Sequence, residues 1–309
     1  MKQFDPNNIN GVMPAMITSF NKDESINKEG IRKTVNYLIS ERVDGLYITG
    51  STGETFLMSQ EEKKQAIEII VEEVNGRVPV IAHIGSIGTK ITTELGMHAE
   101  KVGVDALSAL PPFYYGFTND EIFNYYTDIS NSTNLPITVY NISHANLMDL
   151  DMLKRLASIE NVKGVKYTAP THFNFSKIKK EIGENFKIYS GMDEMALSGL
   201  ISGADGIIGS FYNLMPELFV ALYTNIKQEN INEAKKIQEK INIIILYALS
   251  KSGYPFIKMG MKWLDIDSGY VRKPFTTFVD NEIENTIKND LKKIADQNDL
   301  SGIKFLDAI

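Results

Sequence analysis

The strongest constraint on this chain is an alternation. Short apolar runs are each followed by a longer segment of helical period, from the first residues to about position 228. Runs with strand character occupy residues 12–18, 45–49, 78–84, 106–110, 137–140, 163–167, 187–190 and 206–209. Eight such runs, each reached from the last through a helical segment, describe parallel strands joined by crossover helices. Count and length together predict an α/β fold, a (β/α)8 TIM barrel over residues 1–228. Residues 229–309 read as a C-terminal helical extension packed on the barrel, with helices expected at 232–251, 258–264 and 281–297. A doubly wound open sheet would call for a switch point and often a glycine-rich turn after its first strand. Val12-Met13-Pro14-Ala15-Met16 offers none.

Local signals agree with this division. Ser59 with Glu62, and Thr118 with Glu121, have the spacing of a capping box, and Asn27 and Asp149 stand where helix N-caps are expected. Val43-Asp44-Gly45-Leu46, Val104-Asp105-Ala106-Leu107 and Ala204-Asp205-Gly206-Ile207 repeat one phrase just ahead of strands. It reads as the turn that returns a helix to the bottom of the barrel.

Composition narrows the function. Lys+Arg 32 against Asp+Glu 39 leaves a net charge of −7, which repels nucleic acid and anionic lipid surfaces. The chain has no cysteine, so disulfides, thiolate nucleophiles and iron–sulfur clusters are excluded. Four scattered histidines include no HExxH pair, so no metal site is expected. The longest apolar run, residues 243–249, is too short to cross a bilayer, and the first ten residues lack a signal-type stretch. A cytoplasmic protein acting on a small molecule is the expectation.

In such a barrel the chemistry sits where strands end at the C-terminal rim. Lys166, within Val162-Lys163-Gly164-Val165-Lys166-Tyr167, is placed to point into an apolar mouth, where desolvation lowers an amine's pKa and frees it to attack a ketone. The alternative is a lysine that snorkels or pairs with an acid. Tyr140 closes the neighbouring strand and is either a proton-transfer partner or a packed tyrosine. Gly50-Ser51-Thr52-Gly53 is a turn suited to a carboxylate, or an ordinary capped turn, and lacks the Gly-Lys-Thr ending of a phosphate loop. Asp193-Glu194 follows strand seven, either as ligand-binding acids or as acids at a helix start. His144 and His172 follow rim strands and receive no role.

At these residues the chain resembles the pyruvate-dependent class I aldolase and lyase family that includes dihydrodipicolinate synthase and N-acetylneuraminate lyase. Gly50-Ser51-Thr52-Gly53-Glu54, Pro112-Phe113-Tyr114-Tyr115, Tyr140-Asn141-Ile142, Gly164-Val165-Lys166-Tyr167-Thr168, Asp193-Glu194 and Gly203-Ala204-Asp205-Gly206 with Gly209-Ser210 stand in that family's order and spacing. The Ser-Thr pair and the absence of arginine after Tyr140 are similar to its sialic acid lyases. Ser143, Leu147 and Phe211 depart from the lyase pattern, in loops that contact the distal part of the sugar. The resemblance implies Schiff-base cleavage of N-acetylneuraminate to N-acetylmannosamine and pyruvate, with neither metal nor organic cofactor, in a homotetramer. It implies catalysis by Lys166, Tyr140 and Tyr114. Substrate binding would fall to Ser51, Thr52, Thr168, Gly191, Asp193, Glu194 and Ser210. Dihydrodipicolinate synthesis, cleavage of another 2-keto-3-deoxy sugar acid, and a non-catalytic keto-acid-binding barrel are the alternatives.

Overall fold

The computed structural model describes residues 4–5, 9–145, 147–278 and 280–309. Eight parallel strands, β1 (Gly11–Pro14), β2 (Leu46–Ile48), β3 (Val80–His83), β4 (Ala106–Ala109), β5 (Ile137–Ile142), β6 (Val162–Thr168), β7 (Lys187–Ser190) and β8 (Gly206–Gly209), form one sheet. Each strand pairs with its sequence neighbours, and β1 pairs with β8. A parallel bridge between Ala15 and Tyr47 joins β1 to β2 and closes the ring. Helices α1 (Lys28–Ser40), α2 (Gln60–Val74), α3 (Thr89–Val102), α4 (Asn119–Asn131), α5 (Leu150–Ala157), α6 (Phe173–Ile182), α7 (Ala196–Ile201) and α8 (Pro216–Lys227) form the outer layer. The fold is the (β/α)8 barrel expected from the alternation.

Strand limits differ from the expectation where the partner decides them. The first run ends as a ladder at Pro14 instead of residue 18, because the chain changes partner at the seam. Ala15 N–H donates to Gly209 and Met16 N–H to Tyr47. β5 and β6 run further than expected, since Asn141 pairs with Tyr167 and Ile142 with Thr168. That extra length carries the rim residues outward.

Side chains alternate between two cores. Leu46, Ile48, Val80, Ala82, Leu107, Val139 and Val165 face the helices, whereas Met13, Tyr47, Ile81, Ala106, Tyr189 and Ile208 fill the barrel. Both capping boxes form, and Asn27 and Asp149 accept from Gly30 N–H and Met152 N–H.

The repeated aspartate phrase acts at the barrel bottom. Asp44 accepts from Val12 N–H, Asp105 from Val80 N–H and Asp205 from Ile188 N–H, each at 2.8 Å. Each aspartate's own N–H returns to the carbonyl of the same residue. One side chain thus brackets the start of the preceding strand and fixes its register against the next.

Four further helices follow, α9 (Ile231–Ser250), α10 (Gly253–Trp263), α11 (Asn281–Asn298) and α12 (Lys304–Asp307). α10 begins five residues before its expected start at 258. Gly253 and Pro255, both poor in a helix interior, lie in its first turn, where an N–H has no intrahelical partner to lose. Ile241, Ile244, Ile245, Phe256 and Phe305 pack with Phe219 of α8 and Val12 of β1 in one continuous core. No helix among the described residues is long and apolar enough to cross a membrane.

Candidate active site

Tyr140 and Lys166 are direct partners in the β5–β6 ladder. Both side chains point into the barrel mouth, and Lys166 retains only 4% of its exposure. Its amine lies 4.2 Å from the Tyr140 ring centroid and 4.3 Å from that of Tyr47. Burial drives its pKa down to about 7, with the Asp193 carboxylate opposing that fall. A lysine poised there holds a large share of free amine at neutral pH. Of the two readings open in the sequence, the structure therefore favours the desolvated amine over the snorkelling one.

Burial also raises the Tyr140 phenol's pKa, while the Thr168 and Ser51 hydroxyls beside it oppose the rise. Thr168 Oγ1 nevertheless forms no well-aligned hydrogen bond among the described residues. Gly191 makes this corner possible. A Cβ there would lie 2.0 Å from Thr168 Oγ1 and 3.3 Å from Lys166 Cε. Across the mouth, Thr52 Oγ1 and Ser210 Oγ are 2.6 Å apart.

Ser51, Thr52, Tyr140, Lys166, Thr168, Gly191 and Ser210 all line one cavity of about 410 Å³. Thr168, Gly191 and Ser210 also border a second lobe of about 410 Å³, which Asp193 and Glu194 enter. The two acids differ. Glu194 is exposed, whereas Asp193 is buried and accepts from Phe211 N–H at 2.7 Å. Burial pushes its pKa up to about 7. Tyr114 is the sequence-derived position that the chain does not bring into this cavity. It is 84% exposed with a φ of 80°, and Phe113 lines the wall in its place. That φ is uncommon for a bulky residue. His144 lines the mouth, whereas His172 bonds Ser198 away from it.

Residues 8–294 match the Dihydrodipicolinate synthetase family. The chain belongs to that family. An N-acetylneuraminate lyase from Fusobacterium nucleatum is 36% identical, with 94% of this chain and 98% of that chain covered and a TM-score of 0.86. A Ruminococcus gnavus sialic acid aldolase, solved as a catalytic lysine mutant, is 32% identical over 94% and 97% of the two chains, with a TM-score of 0.89. A dihydrodipicolinate synthase from Bacillus anthracis is 26% identical over 91% and 97%, with a TM-score of 0.86. This dihydrodipicolinate synthetase family chain thus lies among lyases, aldolases and synthases that share its barrel.

Several groups at the site of this family member escaped the reading of its sequence. Tyr47, inside β2, forms one wall of the lysine pocket and bonds Ser108 through its hydroxyl. The alternation of inward Tyr47 with outward Leu46 and Ile48 was the available signal. His83, the last residue of β3, is fully buried and packs edge-on against Tyr140 at 5.9 Å. Burial, with the Lys63 and Lys166 cations, holds its pKa down to about 3, so it is a neutral wall. Tyr254, in the first turn of α10, lines both lobes and faces the Thr52 hydroxyl. Gln238 of α9 donates to the Asp193 carbonyl and accepts from Leu197 N–H. Neither extension residue carries a local sequence signal, because more than 40 residues separate each from its partner.

Proposed function

We propose that this protein is a class I aldolase that cleaves N-acetylneuraminate to N-acetylmannosamine and pyruvate. The observation that carries the reading is the buried Lys166 amine, with its lowered pKa, held against Tyr140. The identities of 32–36% to sialic acid lyases and aldolases, against 26–30% to synthases, support the choice of sugar acid.

The free amine of Lys166 attacks C2 of the open-chain keto acid. Tyr140, protonated at neutral pH because its pKa is raised, gives its proton to the departing hydroxyl, so that water leaves and an iminium forms. The phenolate so produced takes the proton of the C4 hydroxyl. The C3–C4 bond breaks, its electron pair moves into the iminium to give an enamine, and the sugar aldehyde departs. Protonation of the enamine at C3 and hydrolysis release pyruvate and restore the amine. Ser51 and Thr52 hold the carboxylate, and Thr168 supports the lysine corner. Glu194, Ser210 and the Gly191 backbone receive the polyol, with Asp193 beneath them. Tyr114, turned outward on its own chain, would serve a neighbouring copy in a tetramer, which light scattering tests. A barrel of residues 1–228 completed by an extension of residues 229–309 is the domain organisation that goes with this reading. The absence of a membrane-length helix among the described residues accords with a cytoplasmic setting.

Incubation with N-acetylneuraminate and coupled detection of pyruvate tests the proposal. Pyruvate release from N-acetylneuraminate in preference to shorter 2-keto-3-deoxy acids supports it. Turnover of a shorter acid alone would move the protein to another aldolase of the family, and no turnover of any would leave a binding barrel.

A further inference from the structure

A buried charge cluster ties the C-terminal extension to the turn at residues 50–53. Glu54 follows that turn with a φ of 60° and is 3% exposed. Its Oε1 accepts from Lys258 Nζ of α10 at 2.6 Å, and its Oε2 accepts from Arg272 N–H at 2.7 Å. Lys258 Nζ also donates to the carbonyls of Thr18 and Tyr270, each at 2.7 Å, so its three donors are spent on three separate segments. The Arg272 guanidinium bonds the Leu57 and Glu24 carbonyls and pairs with Glu62 of α2. Both partners of the Glu54–Lys258 pair are almost wholly buried.

Within the turn itself the backbone hydrogen bonds are few, and its side chains reach out to Ser210 and Tyr254. Glu54 N–H bonds Ser51, and Thr55 N–H reaches Gly50 at 3.3 Å. Thr49, just ahead of the turn, also has a positive φ, of 52°, a conformation costly for a β-branched residue. Such a backbone persists when its surroundings over-determine it. Here the Thr49 hydroxyl bonds the His83 carbonyl ahead of the turn, and behind it the two oxygens of one carboxylate are each fixed from the extension.

We infer that Glu54 is a positioning residue. Anchored by Lys258 and Arg272, it sets the turn so that the Ser51 and Thr52 hydroxyls meet the carboxylate of the keto acid. The inference rests on the proposed reaction and goes beyond it by assigning the extension control over one end of the substrate. Glu54 adjoins the keto-acid end directly and reaches the sugar end only through the contact of Thr52 with Ser210, so the keto-acid end depends on it more.

Glu54→Gln keeps the shape of the side chain and removes its charge. In the condensation direction, the variant should show a KM for pyruvate raised on the order of tenfold, the effect of losing a charge-assisted hydrogen bond. Its KM for N-acetylmannosamine, and the adduct trapped by borohydride at saturating pyruvate, should stay within about twofold of the parent. Unchanged pyruvate KM, or an equal rise in both KM values, would overturn the inference. Because Glu54→Gln leaves Lys258 buried without a counter-charge, Glu54→Gln with Lys258→Met supplies a neutral pair that avoids this cause of misfolding. It should reproduce the selective rise, and a parental pyruvate KM in that variant would refute the role. No adduct in the parent protein would strike the reaction itself, and the inference with it.

Discussion

The two ends of this barrel are built on opposite terms. At the bottom, Asp44, Asp105 and Asp205 each satisfy a strand N–H and are satisfied in turn, so polar groups close a register and leave nothing over. At the rim, Lys166 sits in an apolar pocket, and Thr168 Oγ1, Ser190 Oγ and His83 Nδ1 are buried without hydrogen-bond partners among the described residues. Strands that start in a closed network can end in an unsatisfied one. The bottom spends its polar groups on stability, and the rim gives up stability for reactive groups.

Substitutions at the two ends should therefore move activity and stability in different directions, and each of the following could break the contrast. Lys166→Met should lower turnover by about 10⁴-fold or more, since no imine can form. The same variant should be more stable, by on the order of 1–3 kcal/mol, and unfold at a higher temperature, because it removes a buried amine. With a folded pKa near 7 and an ordinary value of 10.5, the unfolded chain binds more protons between those limits. The destabilisation by Lys166 is thus full below pH 7 and fades as pH rises through that window, so the gain from Lys166→Met should shrink at alkaline pH. A loss of stability in calorimetry would contradict the account of the rim. Tyr140→Phe should reduce turnover by about 10²–10³-fold while leaving pyruvate trapping measurable. At the bottom, Asp44→Ala should cost about 1–3 kcal/mol in denaturant titration, for an N–H left unpaired, with kcat and KM unchanged and Asp44→Asn recovering most of the loss. A changed KM would show that the bottom reaches the chemistry. The smallest effect is expected of Tyr254→Phe, about a threefold rise in KM from steady-state kinetics, since one phenol beside Thr52 is lost.

Much of the barrel was legible because its signals are local. A capping box spans four residues, and each aspartate phrase stands next to the strand it introduces. The lysine and tyrosine were legible for a related reason, since β5 and β6 are sequence neighbours and their ends must meet. What stayed hidden depends on distance along the chain. Glu54 finds Lys258 and Arg272 more than 200 residues away, and Tyr254 reaches Thr52 over a similar gap, so no window of sequence joins them. Asp193 shows the remaining limit. Its type and place could be read from the sequence, but its burial under Phe211 N–H, which separates its surroundings from those of Glu194, required the packed structure.

The central claim is that Lys166 is a reactive amine inside the barrel. Incubation with pyruvate and borohydride between pH 5.5 and 8.5, followed by peptide mass spectrometry, tests it most directly. The account predicts a reduced pyruvate adduct on Lys166 alone, its initial rate rising about tenfold per pH unit below 7 and levelling above it. Labelling spread over surface lysines, or a rate on Lys166 still climbing about tenfold per unit at pH 8.5, would contradict it.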